Sequence, residues 1–229
     1  MKIIILLLLL AVGLQPVRGQ AGKYQKPDYK EIERKVADKN SIYYYPVLFE
    51  RYRNSDTTLS MQDYRMLYYG YFFNDSFSAF PVSEFTDSLK ALQNKDTLRL
   101  PDYRQIIRFE EQVLLDNPFN PRDLNWLEIG LLHTGDTLKA FQTDVKLMKI
   151  FQAILSTGDG RTEKTAWHVI AVSHEYDLLN ALGFQFGGSQ SLTNSGCDYL
   201  KLADNDLGVK GFYFDVTMLL KKEGEAFKK

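Results

Sequence analysis

The sequence predicts an α+β fold, in which stacked helix hairpins are followed by a small three-stranded α/β region at the C-terminus. Two patterns predict it: a repeat of helix signals with a 40-residue period, and short β-prone runs in the last third of the chain. The predicted divisions are a signal peptide at 1–19, a helical repeat region at 20–160 with units at about 43–80, 81–118 and 119–157, and an α/β region at 161–229.

The N-terminal segment has the features of an export signal. Lys2 precedes an unbroken apolar run at residues 3–12, and the small residues Val17 and Gly19 follow. Ten apolar residues are too few to span the roughly 30 Å of a bilayer interior, which favours a cleaved signal peptide. No cysteine follows the run to carry a lipid. We therefore expect a soluble protein in the periplasm or outside the cell, without a membrane anchor.

The composition argues against nucleic acid as a partner and excludes an intramolecular disulfide. The formal net charge is −1, so the chain lacks the excess of basic residues that nucleic-acid binding requires. Aromatic residues make up 14% of the chain, enough for a large core. Cys197 is the single cysteine, so an intramolecular disulfide is impossible. No motif predicts a cofactor.

The repeat consists of Asp-Thr pairs spaced by 40 residues, each followed closely by a leucine. The pairs are Asp56-Thr57, Asp96-Thr97 and Asp136-Thr137. Fixed periods of this size are typical of stacked helix pairs, in which each unit buries its apolar face against its neighbours. Helices are therefore expected on both sides of each pair.

Capping signals and apolar spacings place these helices. Ser60 and Asp63 match a capping box, and Asn120 followed by Pro121 matches a helix start. The last helix of the repeat region carries a near-heptad apolar stripe, which we expect the neighbouring hairpins to shelter. The stripe consists of Leu138, Phe141, Val145, Met148 and Leu155.

Three short β-prone runs predict the strands of the C-terminal region, at residues 166–172, 197–202 and 209–215. A helix is expected at residues 176–182. The glycine- and serine-rich stretch at residues 187–191 reads as a flexible loop.

The sequence contains the runs Lys26-Pro27-Asp28-Tyr29 and Tyr43-Tyr44-Tyr45-Pro46, with further runs at residues 63–70, 117–121 and 211–216. These runs resemble a family of exported Bacteroidetes proteins, the domain-of-unknown-function family 4919. The likeness covers residues 26–220, and it implies export without implying an activity. Within it, the third unit resembles a tetratricopeptide-type repeat through Asn117-Pro118, Gly135-Asp136 and Ala140, although its period is 40 rather than about 34 residues.

Catalytic candidates are few. Cys197 with His168 or His174 forms the one combination that suggests a thiol nucleophile and its base, and a packed core cysteine is the competing interpretation. On an extended strand His168 and His174 would lie ~20 Å apart, too far for one ion. No paired His or Cys spacing is present either, so no metal site is predicted.

Tyrosines crowd into the first repeat unit. We predict a binding groove lined by Tyr45, Tyr64, Tyr68 and Tyr71, because aromatic rings with a polar tip hold peptides and sugars well. Aromatic filling between helices is the alternative. The sequence thus favours a non-catalytic module that binds a protein or peptide partner, or a glycan, in the cell envelope. An exported hydrolase-like enzyme, with its site between the helices and the C-terminal region, is the second possibility.

Overall fold

The structure, a computed structural model, describes residues 24–226. The predicted signal peptide lies outside the described residues. Within residues 24–226, no helix has the length and apolar character needed to cross a membrane. The described chain forms an α+β fold of nine α-helices and four β-strands. They are α1 Tyr29–Ala37, α2 Tyr45–Arg53, α3 Met61–Gly70, α4 Thr86–Gln93, α5 Leu100–Asp116, α6 Pro121–Thr134, α7 Thr137–Leu155, β1 Trp167–His168, α8 Ser173–Ala181, β2 Phe186–Leu192, β3 Cys197–Leu202, β4 Gly211–Asp215 and α9 Thr217–Ala226.

The capping signals lie where the sequence predicts them. At the start of α3, the Asp63 amide donates to the Ser60 hydroxyl at 3.2 Å, and the Ser60 amide donates to the Asp63 carboxylate at 2.8 Å. At the start of α6, the Arg122 amide donates to the Asn120 side chain at 3.1 Å, with Pro121 at the first helical position. Both predicted helix starts are confirmed.

The three Asp-Thr pairs occupy equivalent places in the fold. The first lies between α2 and α3, the second between α4 and α5, and in the third Asp136 caps α7 by accepting from the Lys139 amide at 3.1 Å. The two helices around each pair pack on one another. The predicted helix hairpins are therefore present.

The hairpins do not stack in sequence order, however. Helix α5 packs on α6, whereas the main contacts of α3 are with α1, α2 and α7. The second hairpin consequently has a small apolar cluster of its own, formed by Leu89, Leu92, Ile106, Phe109 and Val113. The first hairpin shares the main core, which runs from α1 through α7 to the sheet and α9.

The sheet corrects the predicted three-stranded region, because it has four strands in the order β1-β4-β3-β2. Strand β1 is parallel to β4, and the other neighbours are antiparallel. The segment predicted as a loop, residues 187–191, lies within the edge strand β2. This segment forms a strand because it pairs with β3, a contact that its glycine-rich composition does not predict. All seven residues of β2 are exposed.

Candidate functional site

The outer face of α7 carries the predicted near-heptad stripe, and most of it is open to solvent instead of sheltered. Leu138 is 66% exposed, Phe141 59% and Met148 47%. Val145 and Leu155 are half-buried. The helix is anchored by a second apolar face, formed by Ala140, Leu147, Ile150, Phe151, Ala153 and Ile154. Helix α7 therefore has two apolar faces, of which the second is buried in the core.

Charged side chains of both signs belong to the same helix pair. Glu128 of α6 and Asp144 of α7 interact, since burial and the charge of Asp144 raise the pKa of Glu128 to about 7. Burial also raises the pKa of Asp144. Lys146 lies 4.8 Å from the centre of the Tyr52 ring, and burial lowers its pKa to about 8. The α6–α7 pair thus carries half-buried side chains of both signs.

The tyrosines predicted to line a groove lie in the core. Tyr45, Tyr64, Tyr68 and Tyr71 are at most 4% exposed, so a groove lined by these four rings is not formed. Their rings pack against other aromatic rings, and the hydroxyls of Tyr45, Tyr68 and Tyr71 form hydrogen bonds with internal groups. Aromatic filling between helices is therefore the role these rings play.

The concave feature near the first hairpin lies elsewhere. It is an open depression of about 560 Å³ on α2 and the loop after it. Its lining contains no aromatic ring on which a sugar would stack. The lining residues are Pro46, Val47, Glu50, Arg51, Asn54 and Asp56.

His174 is a fully buried histidine, and its partner is one of the predicted groove residues. The Tyr68 hydroxyl lies 2.7 Å from Nδ1 of His174 and accepts from the Ile170 amide at 3.3 Å. Tyr68 and His174 thus share one buried hydrogen bond, and Nε2 of His174 has no partner among the described residues. Burial, with a contribution from the charge of Arg122, lowers the pKa of His174 to about 3. His174 is neutral and closed to substrates.

His168, Asp215 and Cys197 form a row across three neighbouring strands. In the strand register Asp215 is opposite both His168 on β1 and Cys197 on β3. Nε2 of His168 lies 3.6 Å from the Asp215 carboxylate. Burial lowers the pKa of His168 to about 4, although the charge of Asp215 opposes the shift.

This row does not make a thiol–imidazole dyad. Strands lie about 4.8 Å apart, so the His168 and Cys197 backbones are separated by roughly 10 Å, with Asp215 between them. The nearest recorded acceptor of the Cys197 thiol is the Glu163 carbonyl oxygen, at 3.9 Å. Burial raises the pKa of this thiol, and Cys197 is 2% exposed and His168 5%. Two of the predicted catalytic residues are thus neighbours of one carboxylate, and neither faces solvent.

A buried carboxyl pair escaped the sequence-based prediction. Glu175 of α8 is 0% exposed and Asp198 of β3 is 7% exposed. The Gln190 amide donates to both, at 3.4 Å and 2.7 Å, and Tyr176 donates to Gln190. Burial, the charge of Asp198 and a hydrogen bond to Asp198 raise the pKa of Glu175 to about 9. Glu175 therefore keeps its proton at neutral pH.

No local pattern in the sequence signals that pair, because Glu175 lies on α8, Asp198 on β3 and the bridging Gln190 on β2. Within residues 24–226, His, Cys, Asp and Glu side chains form no group of three or more suited to holding a metal ion. The stripe on α7, in contrast, is an apolar surface that is open to solvent.

Fold and site together define a small α+β protein built of helix hairpins on a four-stranded sheet, with an exposed apolar stripe on one helix. The family model described as Domain of unknown function (DUF4919) matches residues 30–225, and the chain belongs to that family. No curated protein and no solved structure gives a significant match to the chain.

Proposed function

We propose that the protein is a non-catalytic interaction module acting outside the cytoplasm, and that the exposed stripe of α7 is its protein-binding surface. The observation that carries the proposal is the exposure of Leu138, Phe141 and Met148 on one side of one helix. With about 200 Å² for each such side chain, they leave roughly 350 Å² of apolar surface in water. Contiguous patches of about 300–600 Å² on soluble proteins are often functional.

The position of the stripe supports this proposal. It lies on the α6–α7 hairpin, the unit that resembles a tetratricopeptide repeat, and the rest of α7 is held rigidly by α3, α6 and the core. A rigid helix presents its side chains without an ordering cost on binding. The predicted signal peptide favours a partner in the cell envelope, which we propose is a protein or peptide rather than a glycan.

The burial of the polar candidates weighs against the alternative of a hydrolase-like enzyme. A nucleophile must touch its substrate and lie within hydrogen-bond reach of its base. Cys197 and His168 are both closed to solvent and stand on either side of Asp215. The proposal therefore places function on the helical surface.

Site-specific photo-crosslinking tests the proposal. A benzophenone amino acid replaces Phe141 in the exported protein, and irradiation of whole cells is expected to give a discrete protein adduct. Leu207 is the matched control, since it is also apolar and is 74% exposed, in a turn remote in sequence from α7. Failure to form adducts at positions 138, 141 and 148, or the same adducts at position 207, would contradict the proposal.

A further inference from the structure

The exposed stripe of α7 follows the heptad pattern of a two-helix coiled coil. Taking Leu138 as position a, the a positions are Leu138, Val145 and Gln152, and the d positions are Phe141, Met148 and Leu155. Five of these six side chains are apolar. A polar residue at a single a position is the device that fixes register and partner number in short coiled coils. Gln152 is exposed and occupies such a position.

The charges beside the stripe match the same pattern. In this register Asp144 is at position g and Lys149 is at the next position e, five residues later. In a parallel pair, each g side chain lies beside the e side chain of the following heptad on the other helix. Asp144 of each helix would therefore meet Lys149 of the other. In an antiparallel pair, g positions lie beside g positions and e positions beside e positions, so Asp144 and Lys149 would not meet.

Neither residue has an ionic partner of its own in the described chain. The ion pairs recorded within residues 24–226 involve other side chains. Asp144 is half-buried, and burial raises its pKa because it disfavours the charged form. A lysine ammonium group from a partner chain would stabilise that charged form. Lys149 is half-buried as well.

We propose that α7 pairs in parallel with α7 of a second copy of this chain, about a two-fold axis along the helices. The inference rests on the proposed function, because it names the partner of the same surface. The apolar area on each copy is well below the ~800 Å² per partner of standard stable complexes. We therefore expect a weak, concentration-dependent dimer.

Exchanging the charges of Asp144 and Lys149 is the decisive test. Sedimentation equilibrium of the purified chain is expected to show a reversible monomer–dimer equilibrium. Asp144→Lys alone places like charges together twice and is expected to raise the dissociation constant about tenfold or more. The double variant Asp144→Lys with Lys149→Asp restores opposite charges and is expected to return it to within about threefold of the original value.

Lys139→Asp is the matched control, because it reverses a charge on the same helix at the exposed b position, outside the proposed contact. Circular dichroism checks that each variant is folded. Helix direction is read from Leu138→Cys in a Cys197→Ala background. A parallel pair brings the two introduced thiols together, and mild oxidation then links two chains. Antiparallel helices would hold these thiols more than two turns apart, so absence of the linked product contradicts the parallel arrangement.

The outcomes separate this inference from the proposed function. If the chain is monomeric at high concentration while Phe141 still crosslinks to a different protein, the second-copy inference is wrong and the interaction surface stands. If it is monomeric and position 141 forms no adduct, both are wrong. A dimer that the double charge exchange fails to restore contradicts the Asp144–Lys149 pairing.

Discussion

Replacing Glu175 with glutamine isolates the energetic consequence of the buried carboxyl pair. Burial and the neighbouring charge of Asp198 hold the pKa of Glu175 at about 9, against an ordinary value of 4.5. Between these values the folded state keeps a proton that the unfolded chain has released. The stability of the natural protein therefore falls as the pH rises through that window, by about 1.4 kcal/mol per pH unit for this group.

The expected difference is large enough to measure. Between pH 5 and pH 8 the Glu175 contribution amounts to a loss on the order of 4 kcal/mol. Glutamine has no proton to lose, and its amide still accepts from Gln190 and donates to Asp198. Glu175→Gln should consequently lose less stability over this range than the natural protein. His174 acts in the opposite direction, below its ordinary pKa, and is common to both proteins.

Urea unfolding at several pH values measures this difference, with the free energy of unfolding extrapolated to water at each pH. Glu33→Gln is the control, since it makes the same chemical change at an exposed position on α1. The control should keep the pH dependence of the natural protein. Parallel stability curves for Glu175→Gln and the natural protein would refute the assignment of a retained proton to Glu175.

Three further substitutions test the packing that positions α7 and the sheet, each by urea unfolding. Tyr68→Phe removes the hydroxyl that serves the buried His174 and should cost about 1–3 kcal/mol; an unchanged stability would contradict the hydrogen bond. Asp136→Ala removes the cap of α7 and should cost about 0.5–2 kcal/mol. The same change at Asp204, which is exposed and caps no helix, should cost almost nothing. Gly158→Ala puts a methyl group 2.0 Å from the Thr165 carbonyl oxygen and should cost more than about 2 kcal/mol, which a normally stable variant would disprove.

Much of the helical architecture follows from local signals. Ser60 with Asp63, and Asn120 with Pro121, are capping patterns whose hydrogen bonds form within four residues, so the sequence contains all their partners. The repeated Asp-Thr pairs mark helix connections for the same reason. These features place the hairpins but do not determine which hairpin packs on which.

The remaining features depend on tertiary contacts. Periodicity identified an apolar stripe on α7, but the helix has two such faces, and the burial of Ile150 and Ile154 by α3 and the core decides between them. The groove prediction failed because Tyr68 binds His174, 106 residues away in sequence. Strand β2 was missed because its pairing partner, β3, overrides the weak strand propensity of its glycines.

Cysteine accessibility in living cells tests most directly whether a protein covers the α7 stripe. In a Cys197→Ala background, Phe141→Cys is labelled with a maleimide reagent, both in cells that produce the protein and in dilute purified samples. Leu207→Cys provides the exposed reference. We expect position 141 to react much more slowly in cells than in dilute solution, with position 207 reacting equally in both. Equal reactivity of position 141 in the two settings would contradict a protein partner on this surface.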